Sequence, residues 1–174
     1  MREYKDIAVI RHARVTDAQY ILNLSEKLAK ESHFMLHEVG EQQLTLEQQE
    51  SILSDFTLSS SKVFWVLEVN KCIVGFCIGI GSTARRNKHN LYCVMGIEVV
   101  YTGKGLGREL LNSLELWASQ HGFTRLELTV MAHNHKAIKL YLSHGFEQEG
   151  IKRQSLKVSN EYVDEIYMSK LLVR

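Results

Sequence analysis

The chain has 174 residues, 45% hydrophobic and 24% charged, and its 21 Lys and Arg nearly cancel 20 Asp and Glu, leaving a formal net charge of +1. That length fits one domain spanning 1–174 with a substantial core, and the charge balance gives no reason to expect nucleic acid or an anionic membrane as a partner. The three cysteines, Cys72, Cys77 and Cys93, form no CxxC spacing, and no apolar run approaches the ~20 residues of a membrane span, so a soluble protein of a reducing cytoplasm is expected.

The opening MREYKDIAVIRHAR lacks the apolar core and small-residue cleavage site of a signal peptide. Within it, Asp6 to Ala13 alternates Ile7 and Val9 against Ala8 and Ile10, as a first strand does. Thr16 or Asp17 then caps a helix from Ala18 to Lys30, whose Ile21, Leu22, Leu24 and Leu28 share one broad face. After a loop over Ser32 to Gly40, Thr45 to Leu58 reads as a second helix with Leu46, Ile52, Leu53 and Phe56 inward. Lys62 to Val69 and Ile73 to Ile80 are apolar strands joined by Asn70-Lys71-Cys72. Ser82 to Asn90 is a basic connecting loop, and Leu91 to Val99 is a further strand.

The helix from Leu106 to Gln120 puts Leu106, Leu110, Leu114 and Trp117 on one stripe, and Gly122 is placed to end it. Leu126 to Met131 is a strand, and Asn134 is placed to cap a helix from His135 to His144 that Gly145 ends. Phe146 to Gln154 and Lys157 to Leu171 close the chain as an antiparallel pair around Ser159-Asn160. The element order is β-α-α-β-β-β-α-β-α-β-β.

Met95 to Leu111, MGIEVVYTGKGLGRELL, runs from strand to helix through Gly103, Gly105 and Gly107 at alternate positions. Glycines ahead of a helix let backbone N–H groups of its first turn converge on an anion, because those donors are unpaired and carry the positive dipole end. A phosphate cradle is one reading, and a glycine-rich turn that packs a helix onto a sheet is the other. Five histidines, His33, His37, His89, His133 and His135, offer no helical HxxxH pair, so no metal is expected. A dinucleotide fingerprint would read GxGxxG in an early βαβ unit, whereas this chain reads GxGxG after several strands.

These residues resemble the GCN5-related N-acetyltransferase (GNAT) family, which transfers acyl groups from acyl-CoA to amines. The first family motif, Arg/Gln-x-x-Gly-x-Gly/Ala between a strand and a helix, is matched by Thr102-Gly103-Lys104-Gly105-Leu106-Gly107, with Thr102 departing at the first position. The second is matched by Leu126 to Val130, then Asn134, Ala137, Tyr141 and Gly145-Phe146; Tyr162 to Met168 resembles the closing strand of bacterial members. The resemblance implies an α/β fold (an α+β mixed sheet) with a mainly antiparallel central sheet flanked by helices.

It also implies acetyl-CoA as co-substrate, an amine of a small molecule or peptide as acceptor, and direct attack in a ternary complex. The implied acetyl-CoA contacts are Ile97, Glu98 and Val99 on a splayed strand, then Gly103, Lys104, Gly105, Leu106, Gly107, Arg108 and Asn134. Tyr141 is the implied general acid for the leaving thiolate. Acyl transfer also needs a proton removed from an amine of pKa near ~10. Family members with a glutamate base carry it where Thr129 stands, so Glu98, Glu127 or water remains as base. A non-catalytic acyl-CoA-binding or sensor module stays open as the alternative, and so does a homodimer. The Ser32 to Phe56 region is expected to line the acceptor site.

Overall fold

The computed structural model describes residues 7–172, so Asp6 of the expected first strand lies outside the described residues. The strands are β1 (Ala8–His12), β2 (Lys62–Val69), β3 (Cys72–Gly81), β4 (Asn90–Ile97), β5 (Arg125–Met131), β6 (Glu147–Val158) and β7 (Glu161–Leu171). The helices are α1 (Ala18–Glu31), α2 (Leu46–Leu58), α3 (Leu106–Gln120) and α4 (His135–Ser143). All seven strands form one sheet in the order β1-β2-β3-β4-β5-β7-β6. Every pairing is antiparallel except β4 with β5, which α3 joins as a crossover.

Two helical layers cover the sheet, one on each face. On one side α1 and α2 bury Ile21, Leu24, Leu28 and Leu53 against Phe64, Val66 and Phe76. On the other side α3 presents Leu110, Leu111, Leu114, Trp117 and Ala118 to Leu91, Cys93, Leu126 and Leu128. Such burial stabilises by about 1.5–3 kcal/mol for each large side chain removed from water. The first layer stops short. It reaches β4 at Gly96, where an added Cβ would lie 2.8 Å from Leu28 Cδ1, while Tyr92 and Val94 on the same face remain 37% exposed.

Several expected details differ. Asp17 is the N-cap of α1, yet its carboxylate turns back to accept from the Arg14 N–H at 2.7 Å and from the Arg11 guanidinium at 2.8 and 3.0 Å. In α2 the buried stripe is Gln49, Leu53 and the partly buried Phe56, spaced for a helix, whereas Leu46 and Ile52 lie off it and are exposed. Cys72 belongs to β3 because Asn70 and Lys71 (φ 50° and 70°) complete a two-residue turn between Val69 and Cys72 on their own. β6 runs on to Val158 through two register shifts, the second taken up by Gln154 at φ 51°, whose N–H donates to Asp164 Oδ1 at 2.7 Å.

Candidate active site

The parallel pairing of β4 with β5 lasts for three residues, Asn90–Arg125, Leu91–Leu126 and Tyr92–Glu127. Beyond Tyr92 each strand keeps only its outer neighbour: β4 stays on β3 as far as Ile97–Gly75, and β5 stays on β7 as far as Met131–Glu165. A split therefore opens inside the sheet. The Glu98 N–H donates to Val74 O at 2.9 Å, which sets the alternation of hydrogen-bonding directions along β4. Val94 and Gly96 turn their backbone groups to β3, and Met95 and Ile97 turn theirs into the split, where no strand partner meets them. Unpaired main-chain groups inside a sheet are ready contacts for an extended polar ligand.

Past the split, a 3-10 turn (Val99–Tyr101) and the glycines lead into α3. Gly103 and Gly105 have φ of 75° and 84°, values that L side chains rarely adopt. Gly105 is the N-cap and carries no capping side chain. The Arg108 and Glu109 N–H groups return to Gly105 O, while those of Leu106 and Gly107 have no acceptor among the described residues. Gly107 is small for a different reason: an added Cβ would lie 2.9 Å from Leu140 Cδ2 and 3.6 Å from Ile97 Cδ1, so it permits the close approach of α3 to α4 and β4.

Tyr141 sits on the core side of the split, 8% exposed, with its ring 5.6 Å from that of Phe146. Its hydroxyl makes no hydrogen bond among the described residues. Burial raises the Tyr141 phenol above its ordinary range, and the nearby Cys77, Cys93 and Tyr92 add to the effect. The group therefore holds its proton at neutral pH and is a donor without an acceptor.

The sequence model of the Acetyltransferase (GNAT) family matches residues 25–146. The chain belongs to the GNAT family. L-amino acid N-acetyltransferase AaaT of Escherichia coli (strain K12) is 38% identical over 66 residues, which are 38% of this chain and 39% of that protein. The match thus spans well under two thirds of that relative. A crystal structure of a GNAT acetyltransferase from Streptococcus pneumoniae superimposes with a TM-score of 0.91 at 27% identity, covering 96% of this chain and 100% of the other. YncA of Salmonella typhimurium, solved with acetyl-CoA, gives a TM-score of 0.85 at 18% identity over 96% and 95% of the two chains, a likeness of fold.

Against the residues that GNAT membership brings forward, the structure places several in other company. Glu98 is 7% exposed and held by Lys27 Nζ at 2.6 Å, and Glu127 accepts from Arg125 Nε at 3.1 Å. Val99 lies beyond the end of β4, and its N–H donates to Glu31 Oε2 at 3.1 Å. Thr102 Oγ1 donates to Val99 O at 2.8 Å. The Lys104 ammonium lies 5.2 Å from the Tyr101 ring. Arg108 donates to Ser143 Oγ at 3.0 Å at the far end of α4, beside a surface concavity of about 490 Å³ that no residue of the split lines. Asn134 caps α4, its Oδ1 accepting the Ala137 N–H at 3.2 Å.

Other groups at the split were not singled out by motif. On the face opposite Tyr141, the Tyr92 hydroxyl meets Thr129 Oγ1 at 2.9 Å, and the 8% exposed Glu165 accepts from Lys152 Nζ and Ser155 Oγ, both at 2.9 Å. Phe34 of the α1–α2 connection approaches His133 of the β5–α4 turn, with ring centroids 5.1 Å apart. The alternation of Leu91 and Cys93 does put Tyr92 on the outer face, but nothing in one strand announces a partner 37 positions away.

Proposed function

We propose that this protein transfers the acetyl group of acetyl-CoA to an amine of a small molecule or peptide by direct attack in a ternary complex. The observation that carries this reading is the split between β4 and β5, with the backbone groups of Met95 and Ile97 unpaired inside it and the protonated Tyr141 on its core side. The diphosphate would lie on the Leu106 and Gly107 N–H groups ahead of α3, where the glycine N-cap leaves donors and the positive helix end exposed. The Ile97 N–H would face the acyl carbonyl oxygen as charge develops there. The amine nitrogen attacks the carbonyl carbon and gives up a proton to Glu98, Glu127 or water, the C–S bond breaks, and Tyr141 donates to the departing sulfur and recovers its proton from solvent. All three cysteines are free, which fits work in a reducing cytoplasm.

The test is Tyr141→Phe, which removes the hydroxyl and keeps the ring that packs on Phe146. Both kcat and kcat/KM should fall by about 10²–10⁴-fold with unchanged acetyl-CoA affinity by calorimetry. Wild-type turnover in that variant would remove Tyr141 from the reaction. Tight acetyl-CoA binding by the wild type without release of free CoA on any amine would leave an acyl-CoA-binding module instead.

A further inference from the structure

Resting on the acetyl-transfer reading, we infer that Glu31, the last residue of α1, is the base that takes the proton of the acceptor amine, through one water. The final turn of α1 is fixed to the end of β4 by successive contacts. Leu28 packs against Gly96, where a missing Cβ leaves it room. Lys27 Nζ donates to Glu98 Oε2 at 2.6 Å, and Glu31 Oε2 accepts the Val99 N–H at 3.1 Å. Positions 27 and 31 lie one above the other on the helix, so a single docking of α1 sets both contacts.

The Val99 N–H continues the series that enters the split. Glu98 sends its own N–H to Val74 and keeps an extended backbone (φ −52°, ψ 139°), so the next amide turns the other way, as those of Met95 and Ile97 do. An oxygen of Glu31 on Val99 thus stands on the same edge of β4 as an acyl oxygen on Ile97. Two residues of strand separate those donors by about 7 Å. A nitrogen bonding to the acyl carbon lies between them, within one water of the carboxylate. Phe34, in the connection that follows α1, meets His133 beyond the end of β5. The chain from Glu31 to Phe34 therefore crosses the open end of the split, and the carboxylate stands beside that opening.

The carboxylates that the sequence brings forward are engaged elsewhere. Glu98 is buried against Lys27, and Glu127 sits opposite Tyr92 at the closed base of the split, held by Arg125 at 3.1 Å. From Tyr92 to Ile97 the strand rises by about 17 Å, too far for one water. Glu31 gives Oε2 to Val99, while Oε1 has Lys27 Nζ at 3.8 Å, beyond hydrogen-bond length. Lone pairs of Oε1 are left for water, which reaches a side chain that is 25% exposed. As the C–N bond forms, the nitrogen becomes cationic and sheds a proton to the water, which passes one to Glu31. The C–S bond breaks as Tyr141 protonates the sulfur; solvent then takes the proton from Glu31 and returns one to Tyr141.

The experiment first finds an acceptor for the wild type among L-methionine, spermidine, glucosamine and trialanine by release of free CoA. Glu31→Gln keeps an oxygen for the Val99 N–H and removes the base. Its kcat and kcat/KM should fall by about 10²–10⁴-fold while acetyl-CoA affinity by calorimetry stays the same. Formate, a small diffusible carboxylate, should raise the turnover of Glu31→Ala and leave that of the wild type unchanged. Wild-type turnover in Glu31→Gln overturns the inference and leaves acetyl transfer standing. A fall accompanied by weaker acetyl-CoA binding, or no response of Glu31→Ala to formate, makes Glu31 a clamp on Val99 and overturns it as well. So does a larger loss of kcat in Glu98→Gln or Glu127→Gln than in Glu31→Gln. Absence of turnover by the wild type on every amine overturns the acetyl-transfer reading and this inference with it.

Discussion

At their C-termini α3 and α4 carry the same three residues, His121-Gly122-Phe123 and His144-Gly145-Phe146, with glycine φ of 80° and 90°. The Phe123 N–H returns to Ala118 O at 2.9 Å and the Phe146 N–H to Tyr141 O at 3.0 Å, so both helices close by the same local pattern. At their N-termini they part. Asn134 satisfies an N–H of α4 with its own side chain, whereas Gly105 offers α3 none. They also differ in depth: five α3 residues are buried, against Tyr141 alone in α4. One helix is thus anchored by its flank and left open at its tip, and the other is closed at its tip and lightly anchored. A helix end that the chain does not cap keeps its donors for something outside the chain.

That contrast can be broken or sharpened by experiment. Leu114→Ala, in the fully buried flank of α3, should cost about 2–5 kcal/mol in urea unfolding. Leu142→Ala on α4, where the side chain is 48% exposed, should stay within about 0.5 kcal/mol. Comparable losses would erase the difference in anchoring. Next in size, Gly105→Arg forces a side chain at φ 84° and fills the open tip, and should raise the acetyl-CoA dissociation constant by about tenfold or more in calorimetry.

Asn134→Ala probes the matching position of α4. It should remove about 1 kcal/mol of stability through the lost cap while moving acetyl-CoA affinity less than Gly105→Arg does. If the two variants weakened acetyl-CoA equally, the tips would not differ in function. The smallest effect is at the C-cap of α4. Burial lowers the pKa of His144, Lys170 and Arg108 lower it further, and Glu115 at 3.0 Å opposes them. A histidine whose folded pKa is depressed leaves the unfolded chain binding more protons, so stability is complete above about pH 6.5 and declines as pH falls below it. Melting temperatures between pH 7.5 and 5.5 should show a steeper decline for the wild type than for His144→Gln.

The parts legible in the sequence were those that local chemistry decides. The stripe of Leu110, Leu114 and Trp117, the terminating Gly122 and Gly145, the Asn134 cap and the Ser159-Asn160 turn each follow from spacing or backbone preference within a few residues. The parts that were not legible depend on a distant neighbour. Nothing in Leu91 to Val99 says that pairing with β5 stops at Tyr92 while pairing with β3 continues to Ile97. Periodicity tells which face a residue takes, not which strand lies beside it. For the same reason Glu98 reads as a free strand carboxylate until Lys27 of α1 is seen to hold it, and nothing in the sequence around Arg108 points to Ser143, 35 positions away, as its hydrogen-bond partner.

The split also gives β4 a rhythm that amide hydrogen exchange can hear. Val94 and Gly96 send their N–H groups to β3, and Met95 and Ile97 send theirs into the gap. Protection should therefore alternate along one strand, slow and fast at successive amides, where an ordinary central strand would exchange slowly throughout. The alternation should fade toward Leu91, at which β4 regains a neighbour on both sides.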